Sequence, residues 1–303
     1  MTSRAILLFG ADGQLGSELA RTLSLLGTVV PADQRQCDIS QEGALRTYIR
    51  GLQPALIVNA AAYTAVDKAE TDSVLAMRIN AFAPRVMAEE AKHFDIPLVH
   101  YSTDYVYAGS SAAFVEEAHA TKPRSVYGST KLAGDLAIQR TGCQHLIFRT
   151  SWVYGHQGNN FVKTILRLAR TREALNIVAD QIGAPTWARL LAEASVLAIA
   201  QANRAGWDAL SGTYHMTAAG QTSWLQFAVL ILELAESRGL ITAPLARLNA
   251  IQSMDYGAPA PRPPYSLLSN DKLARTFAFQ LPDWSLSLRQ FFADPAADGL
   301  IRP

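Results

Sequence analysis

The feature that most constrains this chain is the regular exchange of short apolar runs for longer amphipathic ones across its first half. Ala5–Phe9, Thr28–Ala32, Ala55–Ala60, Pro97–Ser102 and His145–Thr150 are continuously apolar rather than alternating, as strands buried on both faces must be. Between them, Leu15–Leu26, Gln41–Leu52, Ser73–His93 and Val126–Gln139 carry apolar residues at helical spacing. Parallel strands need a crossover, and a helix is the usual one. The pattern therefore predicts an α/β fold: a doubly wound parallel sheet with helices on both faces.

After Tyr154 the texture changes. Asn160–Thr171, Trp187–Ala202 and the strongly apolar Thr222–Arg238 read as helices. Tyr256–Pro264 holds too much proline for a helix or a central strand and reads as an ordered loop, since helical patterns resume at Asp271 and Leu286. The chain thus divides into a sheet domain over residues 1–155 and a smaller mixed α/β lobe over 156–303, with part of 205–240 expected to return to the first domain.

The loop joining the first strand to the first helix, Gly10-Ala-Asp12-Gly13-Gln14-Leu15-Gly16, marks the first domain as a dinucleotide binder of Rossmann type. Small residues permit the tight turn and let backbone N–H groups approach a pyrophosphate at the positive end of the helix. The GxxGxxG spacing is one residue wider than the commonest fingerprint. Its context, a strand before and an amphipathic helix after, supports the reading. Asp33 follows Gly13 by twenty positions, at the end of the second strand, where a carboxylate accepts hydrogen bonds from an adenosine ribose and favours NADH. Arg35 suits a 2′-phosphate instead, so both NADPH and NADH are expected to serve. Asp38 and Ile39 read either as a helix-capping turn with Ser40 or as a clamp on adenine. Asn59-Ala-Ala61-Ala62-Tyr63-Thr64 ends the third strand in small residues, which leaves room for a ligand at the carboxyl edge of the sheet.

Tyr127-Gly-Ser-Thr-Lys131 is the expected chemical centre. Residues four apart share one helical face, so an ammonium lies beside a phenol. An adjacent cation favours tyrosinate, and the expectation is that Lys131 lowers the Tyr127 pKa. Ser102-Thr103-Asp104-Tyr105 ends the fourth strand, where open α/β sheets place ligands; Thr103 suits a hydrogen bond to a carbonyl or to the tyrosine hydroxyl, and Asp104 suits tuning of the acid.

Composition narrows the partners. Twenty-seven basic and 26 acidic residues leave a net charge of +1 with no basic cluster, which argues against nucleic acid or an anionic membrane. Cys37 and Cys143 form neither a disulfide framework nor a zinc site, and the six histidines lack metal-ligand spacing. The apolar stretch Ala5–Phe9 is too short for a signal-peptide core, and no run approaches the roughly 18 residues of a membrane helix, so a cytoplasmic location is expected.

Taken with Phe148-Arg-Thr-Ser-Trp152-Val-Tyr-Gly155, Gly158-Asn-Asn-Phe161, Ala61-Ala-Tyr-Thr-Ala-Val-Asp-Lys-Ala-Glu70, Asp180-Gln-Ile-Gly-Ala-Pro-Thr186 and Arg262-Pro-Pro-Tyr-Ser266, these motifs resemble the extended short-chain dehydrogenase/reductase family over nearly the whole chain. The resemblance implies a nucleotide-sugar substrate: reduction of the 4-keto group of dTDP-4-dehydro-L-rhamnose. Hydride would pass from the nicotinamide to C4, Tyr127 would protonate the new alkoxide, and Lys131 would hold the nicotinamide ribose. Thr103 and Asp104 would contact the sugar, and Trp152 would pack on it. Asn160, Lys163 and Arg262 are candidates for the diphosphate, Arg262 through its bidentate fork. The role of Asn80 is left open between support of the catalytic lysine and a cap.

The resemblance also implies, for some members, magnesium at a homodimer contact built from glutamates. Glu18 matches one such position, but Arg189 stands where relatives carry a glutamate, which puts the metal in doubt. A sugar-nucleotide 4,6-dehydratase is disfavoured because Thr103-Asp104 is followed by Tyr105 rather than glutamate. An epimerase/reductase lacks a convincing Cys/His pair. Two further readings stay open: another sugar-nucleotide ketoreductase, and a non-catalytic NADP-binding regulatory subunit like that of methionine adenosyltransferase.

Overall fold

The computed structural model describes residues 5–241 and 245–300, so the last three positions of the expected 156–303 lobe lie outside the described residues. Five of the apolar runs form strands β1 (Ala5–Phe9), β2 (Thr28–Ala32), β3 (Leu56–Asn59), β4 (Leu98–Thr103) and β5 (His145–Thr150), all parallel; β2, at the sheet edge, is buried only at Ala32. The sixth strand of the sheet is Gly212–His215, which pairs in parallel with β5, so the chain returns from the second lobe to complete the first. The order across the sheet is Gly212–His215, β5, β4, β3, β1, β2. The chain runs from β1 outward to β2, then crosses back to β3 on the other side of β1. A crevice opens beyond the carboxyl ends of the strands at that reversal.

Helices cover both faces. Gln14–Thr22 and Ala188–Ala205 pack on one, burying Leu15, Leu19, Leu191 and Ile199 with Ile6, Leu8, Val58 and Phe148. Glu42–Leu52, Ala83–Phe94 and Val126–Thr141 pack on the other, with Leu45, Ile49, Val86, Met87 and Ile138 against Leu7, Phe9 and Ile147. The helix expected over Ser73–His93 is divided: Ser73–Met77 and Ala83–Phe94 flank a π-helical turn over Arg78–Phe82. Pro84 lacks an N–H, and Asn80 in the turn spends its side chain on neighbouring elements, so the widened turn has a physical cause.

The second lobe has its own core, in which Tyr154, Ile165, Phe227, Ile231, Phe291 and Phe292 meet. Its strands are short. Ala174–Val178 pairs with Arg247–Ile251, and Ile182–Gly183 lies between Thr222–Ser223 and Tyr265–Ser266. Among the described residues no helix is long and apolar enough to cross a membrane.

Candidate active site

The glycine loop is shaped by close approach. Gly10 sits at φ +76°, and a Cβ there would lie 2.6 Å from the Ala61 nitrogen; a Cβ on Gly16 would lie 1.8 Å from the Gly10 carbonyl oxygen. No other residue fits either position. The Gly13 amide donates to that same carbonyl at 3.1 Å, closing the turn onto the helix Gln14–Thr22. This helix starts with no side-chain cap and no acid in its first turn, so its leading amides and dipole face the cleft unneutralised. That is a seat for a pyrophosphate.

At the end of β2, the Asp33 carboxylate accepts from the amides of Arg35 and Gln36 at 2.9 and 3.0 Å and pairs with the Arg35 guanidinium at 3.3 Å. These contacts, the Gln36 amide foremost, hold its pKa below the usual carboxylate range. Asp38 caps its own turn by accepting from the Ser40 amide at 3.0 Å, and with Ile39 it also borders the cleft. At the end of β3, Ala61, Ala62 and Thr64 border the cleft. Tyr63, expected beside them, does not. Asn80 clamps its backbone through N–H and C=O at 2.9 and 3.1 Å, and its hydroxyl donates to Asp72. The buried Asn80 amide also donates to the Thr130 hydroxyl at 3.1 Å, which ties the β3 loop to the helix carrying Tyr127.

That helix, Val126–Thr141, is capped by Ser125, whose hydroxyl accepts from the Gly128 amide. Two glycines let it lie unusually close to its neighbours. A Cβ on Gly128 would stand 2.3 Å from the Tyr105 carbonyl oxygen, and one on Gly134 2.2 Å from that of Asn80. The first contact sets Tyr127 against the end of β4, where the rings of Tyr105 and Tyr127 meet edge to face at 5.3 Å. Tyr105 itself escaped the sequence reading, which valued it only as the absence of a glutamate.

Tyr127 and Lys131 both border the cleft, as do Thr103 and Asp104. Thr103 donates to Asp104 at 3.0 Å and accepts from the Tyr105 amide at 3.2 Å. The second Asp104 oxygen accepts from Ser266, a contact across the two lobes that no sequence spacing announced. Burial pushes the Asp104 carboxyl up to about 6 despite these hydrogen bonds.

The expected depression of the tyrosine pKa is not what this geometry gives. Burial holds the Tyr127 phenol above its ordinary value, and only the Thr103 hydroxyl beside it pulls the other way. The reason lies in where the lysine points. Lys131 Nζ donates to the Tyr101 carbonyl at 2.7 Å and stands 3.2 Å from His100 Nε2, while burial brings the amine down to about 8.

The opposite wall comes from the second lobe. Trp152 borders the cleft with its backbone in the left-handed region, φ +48°, and its indole stacks on Trp224 at 3.5 Å between ring centres. Beneath it lies Gly183, where a Cβ would come within 2.6 Å of the indole. Trp224 is fixed in turn by donating to Gln181 at 3.1 Å.

The diphosphate candidates are otherwise engaged. Asn160 caps the helix Phe161–Ala169 by accepting from the Lys163 amide, and it donates to Gly155 and Gln14. Lys163 reaches the His156 carbonyl. The fork of Arg262 is already bidentate on Asp67, at 3.0 and 2.8 Å. The resemblance and, for Arg262, its fork suggested a phosphate for these three; in the structure they are engaged by local capping and by a carboxylate 195 residues away in sequence.

Glu18 and Arg189 do meet, away from the cleft. Arg189 Nε donates to both Glu18 oxygens at 3.2 Å, and another guanidinium nitrogen contacts Asp294. Among the described residues no group of three His, Cys, Asp or Glu side chains is arranged to hold a metal ion.

Comparison with known proteins adds a sequence-wide match. The model of the RmlD substrate binding domain family matches residues 4–296. A dTDP-4-dehydrorhamnose reductase of Burkholderia thailandensis is 47% identical over 284 residues, spanning 92% of this chain and 95% of the relative. That of Escherichia coli K12 is 45% identical, spanning 94% and 96%. Among solved structures, a dTDP-4-dehydrorhamnose reductase of Bacillus anthracis in complex with NADP is 34% identical, superposes with a TM-score of 0.86 and covers 96% of this chain and 99% of its own.

Proposed function

The chain belongs to the RmlD substrate binding domain family, and from that premise we propose that it reduces the 4-keto group of dTDP-4-dehydro-L-rhamnose to dTDP-L-rhamnose, the last step of dTDP-rhamnose biosynthesis. One observation carries the reading. A single cleft of about 680 Å³ is bordered by the glycine loop on one side and by Thr103, Tyr127, Lys131 and Trp152 on the other.

The residues present fit a nicotinamide dinucleotide. Gly10, Gly13 and Gly16 form a cradle that a Cβ would fill, and the uncapped helix beginning at Gln14 faces it with free amides. When bound, the dinucleotide supplies the hydride. The protein's own part is placement and proton supply. Tyr127 donates its phenolic proton to the oxygen at C4; its raised pKa does not impede this, because a sugar alkoxide is a far stronger base than tyrosinate. A positioned general acid of this kind contributes about 10²–10⁴ in rate. Thr103 turns its one hydroxyl proton from Asp104 to the reacting oxygen, and Lys131 orients the nicotinamide ribose. Trp152 supplies a flat apolar face to the sugar. Asp33 and Arg35, paired with each other, accommodate both NADH and NADPH.

Magnesium, which the resemblance to the family implies for some members, does not fit here. A guanidinium stands between Glu18 and Asp294, where an ion would need a third carboxylate, and no step is assigned to a metal.

A second reading concerns only the sugar. A relative from Streptomyces antibioticus, 38% identical, is described as "Probable dTDP-4,6-dihydroxy-2-methyloxan-3-one 4-ketoreductase", so the family's name for its substrate varies at this level of identity. The test is direct. Purified protein, NADPH and enzymatically generated dTDP-4-dehydro-L-rhamnose are mixed and the absorbance of the reduced cofactor is followed. Oxidation that requires the keto-sugar supports the reading, and its absence at micromolar enzyme overturns it. Keto-sugars lacking the 2-hydroxyl or carrying UDP in place of dTDP, run alongside, separate the two substrate readings.

A further inference from the structure

Below the cleft, behind the Tyr127 and Lys131 that the mechanism uses, lies a buried array of charged groups that it does not. Tyr127, Lys131 and Asp135 follow one another at four-residue steps on one helix, and Lys131 and Asp135 are both wholly withdrawn from solvent. One Asp135 oxygen, Oδ2, accepts from Arg149 Nε at 3.0 Å; Oδ1 makes no close hydrogen bond, stands 4.0 Å from His100 Nε2, and has the otherwise unpartnered Ser102 hydroxyl beside it. His100 in turn reaches Lys131 Nζ at 3.2 Å. We propose that Asp135 is a positioning residue for the reduction: against burial and the His100 N–H that faces the amine, it supplies the counter-charge that keeps Lys131 protonated, both at the Tyr101 carbonyl and turned toward the cleft. The proposal rests on the reductase reading.

Two features support it. The first is the proton map. Asn59 Oδ1 accepts from the Ala61 amide, which turns its Nδ2 toward His100 Nδ1 at 3.0 Å. His100 Nδ1 is therefore an acceptor and its ring proton sits on Nε2, between the lysine amine and the free oxygen of Asp135. An N–H facing an ammonium has no acceptor there. Once the amine leaves, Asp135 Oδ1, 4.0 Å away, is the acceptor that the same N–H would meet on a closer approach of the two groups. The unpartnered oxygen, otherwise costly in a dry interior, thus has a use in the second arrangement.

The second feature is the charge count. Lys131 on its own helix, His100 on β4, and Arg149 and His145 on β5 face Asp135, with Tyr107 joined to Arg149 at 2.7 Å and His215 beyond it at 2.8 Å. Burial lowers the pKa of all three histidines. Two cations then share one carboxylate, and Asp135 is the group that raises the Lys131 pKa against burial.

The test is the pH profile of kcat/KM for keto-sugar reduction by the full chain. The active amine is protonated, so the wild-type profile falls as pH rises through the lysine pKa. In Asp135→Asn that falling limb should move at least one unit toward acid, with cofactor affinity measured below pH 6 changed less than threefold; Asp135→Glu should restore the limb. A purely structural carboxylate would lower activity evenly at all pH values. Since Asparagine leaves Arg149 without a counter-charge, the paired replacement Asp135→Asn with Arg149→Gln is the second variant, and it should move the limb the same way by a smaller amount. A limb that stays in place in whichever of the two folds overturns the proposal. Failure of the wild type to reduce the sugar would overturn the parent reading instead, so the two failures are distinct.

Discussion

The two walls of the cleft are made in different ways. The sheet-side wall is backbone: Gly10 and Gly16 admit no Cβ, the helix end offers bare amides, and the shape follows from 7 consecutive residues. The lobe-side wall is side chain: Trp152 is held in a left-handed backbone conformation by Trp224 on one face and Gly183 on the other, three segments far apart in sequence. That conformation costs a non-glycine residue roughly 1–2 kcal/mol, which the stacking and the strand pairing beneath offset. Dinucleotides share one pyrophosphate geometry, so a wall that binds them is fixed by local backbone. Sugars differ in where a hydroxyl stands, so the wall that reads them is assembled from side chains of separate segments.

If that division is sound, the largest effect comes from the group between the walls. Tyr127→Phe keeps the edge-to-face contact with Tyr105 and removes only the acid. Turnover should fall 10²–10⁴-fold while the dissociation constant for NADPH stays within about twofold. Stopped-flow turnover together with fluorescence titration of the cofactor checks it. Near-normal turnover would remove Tyr127 from the mechanism and leave the sheet-side wall as a binding site alone.

Asp104 joins the sheet domain to the second lobe, accepting from Thr103 of the one and Ser266 of the other. Its carboxyl is lifted from 3.8 to about 6, so in that window the folded chain holds a proton that the unfolded chain has released. Stability contributed by this group therefore falls as pH rises from about 4 to 6, by up to about 3 kcal/mol at 1.36 kcal/mol per pKa unit. Urea unfolding at intervals across that range should show Asp104→Asn with a flatter dependence than the parent. Parallel curves would mean the carboxylate is already ionised in the folded protein and that Ser266 is its stabilising donor.

Much of the sheet-side wall was legible because its causes are local. Continuous apolar runs gave β1 to β5 to within one residue at either end, and the glycine spacing located the turn. The break in Ser73–His93 was not legible, since Asn80 leaves the helical pattern only to reach Tyr63 and Thr130, neither of which a 3.6-residue period reports. Nor was the direction of Lys131. Four-residue spacing places it beside Tyr127, but the Tyr101 carbonyl and the His100 ring on β4 decide where the amine goes. The lobe side was legible only in part. Trp152 was found by resemblance, whereas Trp224, Gly183 and Ser266 matter through contacts of 30 to 160 residues' separation, on the order where patterning carries no signal. Arg262 shows a second gap: a fork suited to phosphate is equally suited to a carboxylate, and no spacing announced its pairing with Asp67.

A smaller effect tests the lobe-side wall. In Gly183→Ala the new methyl meets an indole that cannot withdraw, because Trp224 lies 3.5 Å behind it. Displacing Trp152 should raise KM for the nucleotide sugar about tenfold, or about 1.4 kcal/mol, with the NADPH constant unchanged. A matching loss of NADPH affinity would show that the two walls are one mechanical unit after all.

The smallest expected effect lies in the more legible half. The Asp33 carboxylate holds its own turn through the amides of Arg35 and Gln36 and neutralises the Arg35 head group, which is otherwise open to solvent. Asp33→Ala removes a ribose acceptor, which weakens NADH, and frees a cation for a 2′-phosphate, which offsets the loss for NADPH. The NADPH/NADH ratio of kcat/KM should therefore rise a few-fold, the size expected of a solvent-exposed charge pair. The rise should shrink as salt is added, since screening weakens the freed arginine more than it weakens a direct hydrogen bond. Equal losses for the two cofactors, independent of salt, would mean that Asp33 acts only by shaping the turn, and that even the wall fixed by local backbone depends on a side chain for its form.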